Sequence, residues 1–414
     1  MKIIKLVNDL GYGGTQRCAQ NYALGLKSRG HDVSCYCYGK LGPRAKILEE
    51  ADIPVGLIDC DKEGLGINLS QADVIHVHRE GPYSPKTTAL LVALRTLYPQ
   101  IAIVETNVFS RVDFKIPNGV IDVHFHLSEW CLVKYLKWAR GLNYYPQAMV
   151  VPYVVDGDSF GPASFESIRT FKHVHNIPED AFLFGRLGQS SEAKWNTCMI
   201  DAFVKAEIDN AYLMLVSAPQ SHVQKINSLP SQIRSKIRLA EFLKGDTALR
   251  TAFSSFDAFV HTAKIGESFG MVLAESMLCE TPVITLSTPL KDNTQTLMIP
   301  ECNGGVVVRT QQLLIQAMQQ VVEDPAPWRA LGHGARVKTV ARYGFEAIIP
   351  RLELGYQRAI ALRRGEEADY GDEYKISESL VKNELKKMDV LTRIKFAALH
   401  SPSFYKIYRK FRFG

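Results

Sequence analysis

The chain has no run of about 18 apolar residues, the length a membrane-spanning helix needs. Its opening Met1-Lys2-Ile3-Ile4-Lys5-Leu6-Val7 is too short and too soon interrupted by charge for a secretory signal. Both lacks point to the cytoplasm. The eight cysteines are scattered, with no Cys-x-x-Cys and no histidine-rich partner at metal-ligand spacing, so neither structural zinc nor a disulfide framework is expected. Cys35 and Cys37 alternate along a strand-like segment and read as small buried hydrophobes. No recognised nucleic-acid-binding module appears, so nucleic acid is not expected as a partner. What remains is an ordinary globular composition, 46% hydrophobic and 22% charged. At 414 residues, the chain exceeds the roughly 250 to 300 at which one core stops growing, so two domains are expected.

The pattern along the chain is strand, helix, strand. Apolar segments at Ile3 to Val7, Val33 to Tyr38, Pro54 to Ile58, Val74 to Val77 and Ile101 to Glu105 read as strands. Helical periodicity covers Ala45 to Glu50 and Lys86 to Leu97, and a further helix starts at Thr15, whose hydroxyl can cap its free amides. After Gly157, Gly161 and Pro162 the alternation restarts at Phe182-Leu183-Phe184-Gly185. Strands follow at Tyr212 to Val216, Ile237 to Ala240, Phe256 to His261 and Val283 to Leu286, with helices at Cys198 to Ala206, Thr247 to Phe253 and Gly270 to Cys279. Such alternation gives a parallel sheet covered by helices, with ligands outside the carboxyl ends of the strands. The expected fold class is α/β, two doubly wound Rossmann-like domains facing across a cleft. The divisions are 1–160, 161–345, a helix over 346–374 crossing back to the first domain, and a basic aromatic tail over 375–414.

The segment richest in chemistry is Glu267-Ser268-Phe269-Gly270-Met271-Val272-Leu273-Ala274-Glu275. Glu267 sits in the turn before a helix and Glu275 about two turns inside it, so two carboxylates could grip a hydroxyl-rich ligand at two points. Either acid alone reads equally as a surface carboxylate. Gly13-Gly14 enters a helix and offers free amides and a positive dipole end to an anion, or is a plain tight turn. Gly185-Arg186 at a strand end, followed by Lys194, supplies a guanidinium fork and a mobile ammonium, the two cation types that hold phosphate.

Together these motifs resemble the retaining glycosyltransferases of the large GT4 family, which have the two-domain GT-B fold, over about the first 360 residues. The resemblance implies that Glu275 binds ribose hydroxyls, Glu267 contacts the transferred sugar, and Arg186 with Lys194 clamps the diphosphate. The amides around Ser268, Phe269 and Gly270 would complete the phosphate cradle. Gly13, Gly14 and Arg17 look like the family's donor and acceptor loop, and Asn303-Gly304-Gly305 like its later glycine turn. It further implies transfer with retention and no divalent metal, the two cations neutralising the leaving group. No cofactor is expected beyond the nucleotide-diphosphate sugar as co-substrate. Front-side attack is favoured on resemblance, with double displacement through Glu267 or Asp113 left open. One departure stands out: where many members carry a histidine, this chain has Asn107, a catalytic and acceptor-side candidate whose amide could hydrogen-bond a sugar hydroxyl but cannot serve as a base. His76, His78, Arg111 and Asp113 remain candidates on the acceptor side.

From Lys375 onward ten Lys or Arg face three acids, a net of +7 against +6 for the whole chain, so everything before nets to −1. Phe404 to Phe413 interleaves cations with aromatics, as an interfacial membrane segment does. The expected function is transfer of a hexose to a glycan or lipid-linked acceptor in cell-envelope polysaccharide synthesis, on the cytoplasmic side, with possible attachment to an anionic membrane through 375–414. The alternatives are a catalytically silent glycan- or nucleotide-binding module, and a GT-B sugar epimerase or phosphorylase.

Overall fold

The computed structural model describes residues 1–59, 67, 69–79, 84–113, 115–140, 146–367, 373–401, 403–404 and 407. They form two compact units, one of Met1–Val154 with Phe345–Gly414 and one of Val155–Gly344.

Unit 1 holds a seven-stranded sheet of β1 (Lys2–Asp9), β2 (Asp32–Lys40), β3 (Val55–Leu57), β4 (Val74–Arg79), β5 (Ala102–Asn107), β6 (Val123–His126) and β7 (Ala148–Val150). Every pairing is parallel and the spatial order is β3-β2-β1-β4-β5-β6-β7. Between the strands run α1 (Gly14–Ser28), α2 (Arg44–Glu50), α3 (Pro85–Leu97) and α4 (Glu129–Arg140). Helices cover both faces of the sheet, so Ile3, Ile4, Leu6 and Val7 of β1 are all buried, and with them polar groups such as Lys5, His76 and Glu105.

Unit 2 repeats the design. After α5 (Phe165–Val174) come β8 (Phe182–Leu187), α6 (Cys198–Ala206), β9 (Ala211–Val216), α7 (Gln220–Asn227), α8 (Ser231–Arg234), β10 (Ile237–Ala240), α9 (Asp246–Ser255) and β11 (Ala258–His261). Then follow α10 (Met271–Leu278), β12 (Val283–Leu286), α11 (Gln295–Cys302), β13 (Gly305–Val308), α12 (Gln311–Glu323) and α13 (Pro325–Tyr343). Its six strands are again all parallel, in the order β10-β9-β8-β11-β12-β13. Phe184, Trp195, Met199, Leu213 and Met318 lie in its main core cluster.

Unit 1 is completed by α14 (Phe345–Arg363), α15 (Glu373–Lys386) and α16 (Val390–Leu399). Two glycines let α14 approach closely: a Cβ on Gly25 of α1 would lie 2.6 Å from Ile349, and one on Gly355 would lie 2.5 Å from the Phe125 ring. Among the described residues no helix is long and apolar enough to cross a membrane.

The expected class, α/β with two doubly wound parallel sheets, is what the structure has. Several local expectations need correction. The first helix begins at Gly14 with Gly13 as its N-cap, and the Thr15 hydroxyl, rather than capping, accepts from Tyr153 Oη at 3.0 Å. α10 begins at Met271, so Glu275 lies about one turn inside it rather than two. The division between units falls after Val154, against the expected 160.

Candidate functional site

In a doubly wound sheet the strand order reverses at one place, and a crevice opens there outside the carboxyl ends. In unit 2 that place lies between β8 and β11. β8 ends in Arg186-Leu187 and leads to Lys194; β11 ends in His261 and leads to Glu267. Topology thus delivers charged groups from both sides to one point.

There the Lys194 ammonium contacts Glu267 Oε2 at 2.7 Å, and Glu267 Oε1 is 3.0 Å from His261 Nε2. Burial alone would raise the Glu267 pKa. The Lys194 charge and the hydrogen bond from His261 outweigh it, holding the carboxyl well below its ordinary range. Burial pushes the His261 imidazole down to about 4, so it is neutral near pH 7. An ionised carboxylate only accepts, so Nε2 carries the proton. His261 Nδ1 then accepts from the Thr285 hydroxyl of β12 at 3.0 Å. The result is a line from Thr285 through His261 and Glu267 to Lys194, whose side chain retains 26% exposure.

Arg186 lies deeper. Its guanidinium is 1% exposed, with Cζ 4.8 Å from the Trp195 ring and 5.6 Å from the Phe259 ring. Nη1 donates to Leu187 O at 2.5 Å and Nη2 to Lys194 O at 2.9 Å, while Nε is buried without a hydrogen-bond partner. Burial lowers its pKa to about 10 against the pull of Glu267, so it stays a cation. Arg186 therefore backs the Lys194 loop rather than projecting as an open fork. Gly185 serves packing: a Cβ there would lie 2.1 Å from the Phe256 ring.

The turn carrying Glu267 is locked. Gly266 has φ of +67°, and a Cβ on it would fall 1.6 Å from Asp292 O. The Ser268 hydroxyl donates to Asp292 Oδ2 at 2.5 Å, the Thr294 hydroxyl to Ser268 O at 2.9 Å, and the Glu267 amide to Gln295 Oε1 at 3.3 Å. Gly270, with φ of +99°, caps α10 without a side-chain acceptor, leaving the positive end of that helix beside Glu267. Phe269 is buried with its ring edge-on to Tyr343 at 5.2 Å, and Glu275 is buried on α10. Asn303, Gly304 and Gly305 serve the turn into β13: Asn303 caps α11 at φ of +51°, and a Cβ on Gly304 would lie 2.0 Å from Met277 Sδ.

In unit 1 the order reverses between β1 and β4. The Gly13-Gly14 turn leaves β1 braced by Asp9, whose carboxylate accepts from the Gly11 amide at 2.7 Å and from Gln16 Nε2 at 3.2 Å. Gln16 fills the space a Cβ on Gly13 would need, 2.2 Å away. Arg17 is buried on α1. At the end of β4, His78 is buried with neither ring nitrogen hydrogen-bonded, and it stacks on His76 at 4.5 Å. His76 is engaged by Lys5 Nζ at 3.1 Å, Tyr356 Oη at 2.8 Å and Thr106 Oγ1 at 2.8 Å.

Asn107 closes its own turn. Its Oδ1 accepts from the Arg111 amide at 3.1 Å, and its Nδ2 donates to Arg111 O at 2.9 Å and Glu105 Oε1 at 3.1 Å. Asp113 is likewise engaged, 2.9 Å from Arg79 Nη2 and accepting from the Thr88 hydroxyl at 2.5 Å. Arg111 is exposed, with Cζ 5.8 Å from the Phe109 ring.

Sequence reasoning gave no weight to His261, Thr285, Asp292 or Asp9, although His261 ends the strand before Glu267. It also passed over two Asp-x-Asp spacings that could serve a divalent cation. Asp59-Cys60-Asp61 lies partly outside the described residues. In Asp156-Gly157-Asp158 the first carboxylate accepts from the Asp158 amide at 2.9 Å and the Ser159 amide at 3.0 Å. Among the described residues no group of three or more His, Cys, Asp or Glu is placed to hold a metal ion.

Residues 179–324 match the family described as Glycosyl transferases group 1, a stretch that holds Arg186, Lys194, Glu267 and Glu275. No curated protein matches the chain. Among solved structures, HepE from Anabaena in complex with UDP and glucose is 16% identical with a TM-score of 0.68, over 85% of this chain and 98% of that one. A glycosyltransferase from Rickettsia africae ESF-5 is 13% identical with a TM-score of 0.70, over 87% and 98%. Sucrose-phosphate synthase from Thermosynechococcus elongatus is 17% identical with a TM-score of 0.62, over 87% and 100%. The likeness to GT-B glycosyltransferases read from the motifs holds in the family match and in the fold.

Proposed function

We propose that the chain is a retaining glycosyltransferase of the GT4 type, moving a hexose from a nucleotide-diphosphate sugar to a glycan or lipid-linked acceptor in cell-envelope polysaccharide synthesis. The observation that carries it is the convergence of Lys194, Arg186, Glu267 and the open N-terminus of α10 at the switch point of unit 2, inside the segment matching Glycosyl transferases group 1. Lys194 and the α10 dipole receive the diphosphate, with Arg186 adding positive potential from behind. That charge replaces a divalent metal as the leaving group departs. Glu275 accepts from the ribose hydroxyls. Glu267, kept ionised by Lys194 and oriented by His261, accepts from the sugar and stabilises positive charge developing at the anomeric carbon. The acceptor hydroxyl then attacks on the face the diphosphate leaves. Acceptor recognition is assigned to unit 1, at the carboxyl ends of β1 and β4. The basic stretch 375–414 supports work on the cytoplasmic face of an anionic membrane.

The test is thermal shift of the full chain against UDP, GDP, ADP, dTDP and CMP without metal; the HepE complex makes UDP the first choice. At 100 times its dissociation constant a ligand stabilises by about 2.7 kcal/mol. Stabilisation by one diphosphate, lost in Glu275→Ala, supports the reading, and a flat response to all five refutes the donor site. A second reading, a silent binding module, is favoured by Asn107, whose amide is spent within its own turn. It predicts nucleotide binding without release of nucleoside diphosphate from any donor in the presence of acceptor.

A further inference from the structure

α16 is amphipathic in an inverted sense. At about 100° per residue, Ala397, Val390, Ile394, Ala398 and Leu391 fall in one stripe roughly 120° wide. All five are exposed, Val390, Leu391 and Ile394 at 60%, 59% and 60%. Arg393 borders the stripe on one side and Lys395 on the other. Both are exposed, and neither has a carboxylate partner among the described residues. The opposite face holds the helix to unit 1: Phe396 is buried edge-on to Trp130 at 5.5 Å, and Trp138 Nε1 donates to Leu399 O at 3.3 Å. A helix that anchors through one aromatic and turns its aliphatic side chains to water is exposing surface the fold does not use.

The charges around it choose the occupant. The acids of this region are spent locally: Asp389 caps α16 through the Thr392 amide at 2.9 Å, Glu378 accepts from Lys382 at 2.9 Å, and Glu384 pairs with Lys387. Lys386, the last residue of α15, and Lys387, just after it, precede α16 and are exposed, and the net charge from Lys375 onward is +7. An apolar stripe between cations, in a segment of positive charge, complements a surface that is anionic outside and hydrocarbon within.

We propose that α16 docks on an anionic lipid bilayer, with Val390, Leu391 and Ile394 entering the headgroup boundary and Arg393 and Lys395 meeting lipid phosphates. This deepens the proposed function by naming the face that brings the chain to a lipid-linked acceptor. It rests on that reading for its purpose, while the binding itself is independent of sugar transfer. The docking face lies in described residues, whereas most of the aromatic stretch 404–413 singled out in the sequence lies outside them.

The test is co-sedimentation of the full chain with vesicles of phosphatidylcholine, alone or with one part phosphatidylglycerol to two of phosphatidylcholine. Binding is expected to the anionic vesicles only and to fall with added salt. Arg393→Gln with Lys395→Gln should lower partitioning about 30-fold, and Leu391→Asp with Ile394→Asp should abolish it. These exposed sites should leave the unfolding midpoint unchanged, which separates lost docking from lost fold. Equal binding to neutral vesicles, undiminished binding by both variants, or a dimer in light scattering that Ile394→Asp dissociates would each overturn the proposal. The UDP thermal shift on the same preparation reads the donor site separately, so failure of one leaves the other standing.

Discussion

His76, His78 and His126 of unit 1 are fully buried, and burial holds each imidazole well below its ordinary value, so all three stay neutral in the folded unit. In an unfolded chain an imidazole takes a proton near pH 6.5. The unfolded state therefore binds more protons, and the stability these groups contribute is complete above pH 6.5 and drains as the pH falls. At pH 5 an imidazole that remains neutral in the folded state gives up about 2 kcal/mol, a sizeable part of the typical 5 to 15 kcal/mol of a folded protein, and the three losses act in the same direction. Unit 2 has two buried counterparts, His261, lowered to about 4, and His222, also lowered by burial; it loses about 2 kcal/mol through His261 over the same range, with a further loss through His222. Its Glu267 adds a further loss in the same direction, beginning only near the ordinary carboxylate range.

Unit 1 should thus open before unit 2 as the pH falls from 7 to 5. The assay is equilibration of the full chain in a urea series at each pH, then hydrogen-exchange pulse labelling at one fixed pH, so that intrinsic exchange rates are equal. Peptides from β1, β4 and β6 report on unit 1 and peptides from β8, β11 and β12 on unit 2. The unit 1 midpoint should drop further between pH 7 and 5 than the unit 2 midpoint. Equal drops, or earlier loss from β8 and β11, would refute the assignment of these histidines as buried and neutral.

Burial also lowers the Lys5 pKa to about 7 from 10.5, so the unfolded chain holds the extra proton and stability rises by about 2 kcal/mol from pH 7 to 9. Lys5→Met should flatten that rise and raise the urea midpoint at pH 7, because His76 keeps its bond to Tyr356; a lower midpoint would count against it. Gly185→Ala places a methyl 2.1 Å from the Phe256 ring and should cost about 1 to 3 kcal/mol in unit 2, with Phe256→Leu recovering part of it in a double-mutant cycle. Glu267→Gln frees Lys194 from a partly exposed ion pair worth up to about 1 kcal/mol, so calorimetry should find UDP bound up to about fivefold tighter while turnover falls. Weaker UDP binding would show that Lys194 does not serve both partners.

The fold was legible wherever one rule of burial held. Buried parallel strands read as apolar runs, and β1, β8, β9 and β12 were found from their runs of Ile, Val, Leu and Phe, β2 from its alternating Val33, Cys35 and Cys37, and β4 from Val74, Ile75 and Val77 despite its two histidines. β6 was missed because its sequence, Val-His-Phe-His, is four residues long with no two apolar residues adjacent, whereas β4 offers Val74-Ile75 ahead of its histidines. Those histidines are buried all the same: His124 contacts Glu105 at 2.7 Å, and His126 is 2.8 Å from the Ser110 hydroxyl. Polar groups that satisfy one another in the interior erase the alternation from which a strand is recognised. The tail hid its character in another way, since α16 turns its apolar side chains outward and its periodicity alone does not say which face is packed.

At the site the same principle separates what was visible from what was not. Arg186, Lys194, Glu267 and Glu275 are charged residues beside strand ends and helix starts, so their chemistry shows in one dimension. What sets their state does not. Glu267 is anionic while buried because Lys194, 73 positions earlier, and His261 both reach it. His261 donates rather than accepts because the Glu267 anion can only accept, and Thr285, 24 positions later, then donates to its other nitrogen. Arg186 stays a cation among aromatic rings because Glu267 opposes the effect of burial, with the Leu187 and Lys194 carbonyls accepting its N–H groups. Each arrangement joins chain segments that meet only where β8, β11 and β12 end side by side, and the order of those strands is a property of the sheet. A buried charge without such partners would neutralise itself. The residues that hold Glu267 ionised therefore bear on the proposed chemistry as directly as the acid itself, and no spacing in the sequence marks them.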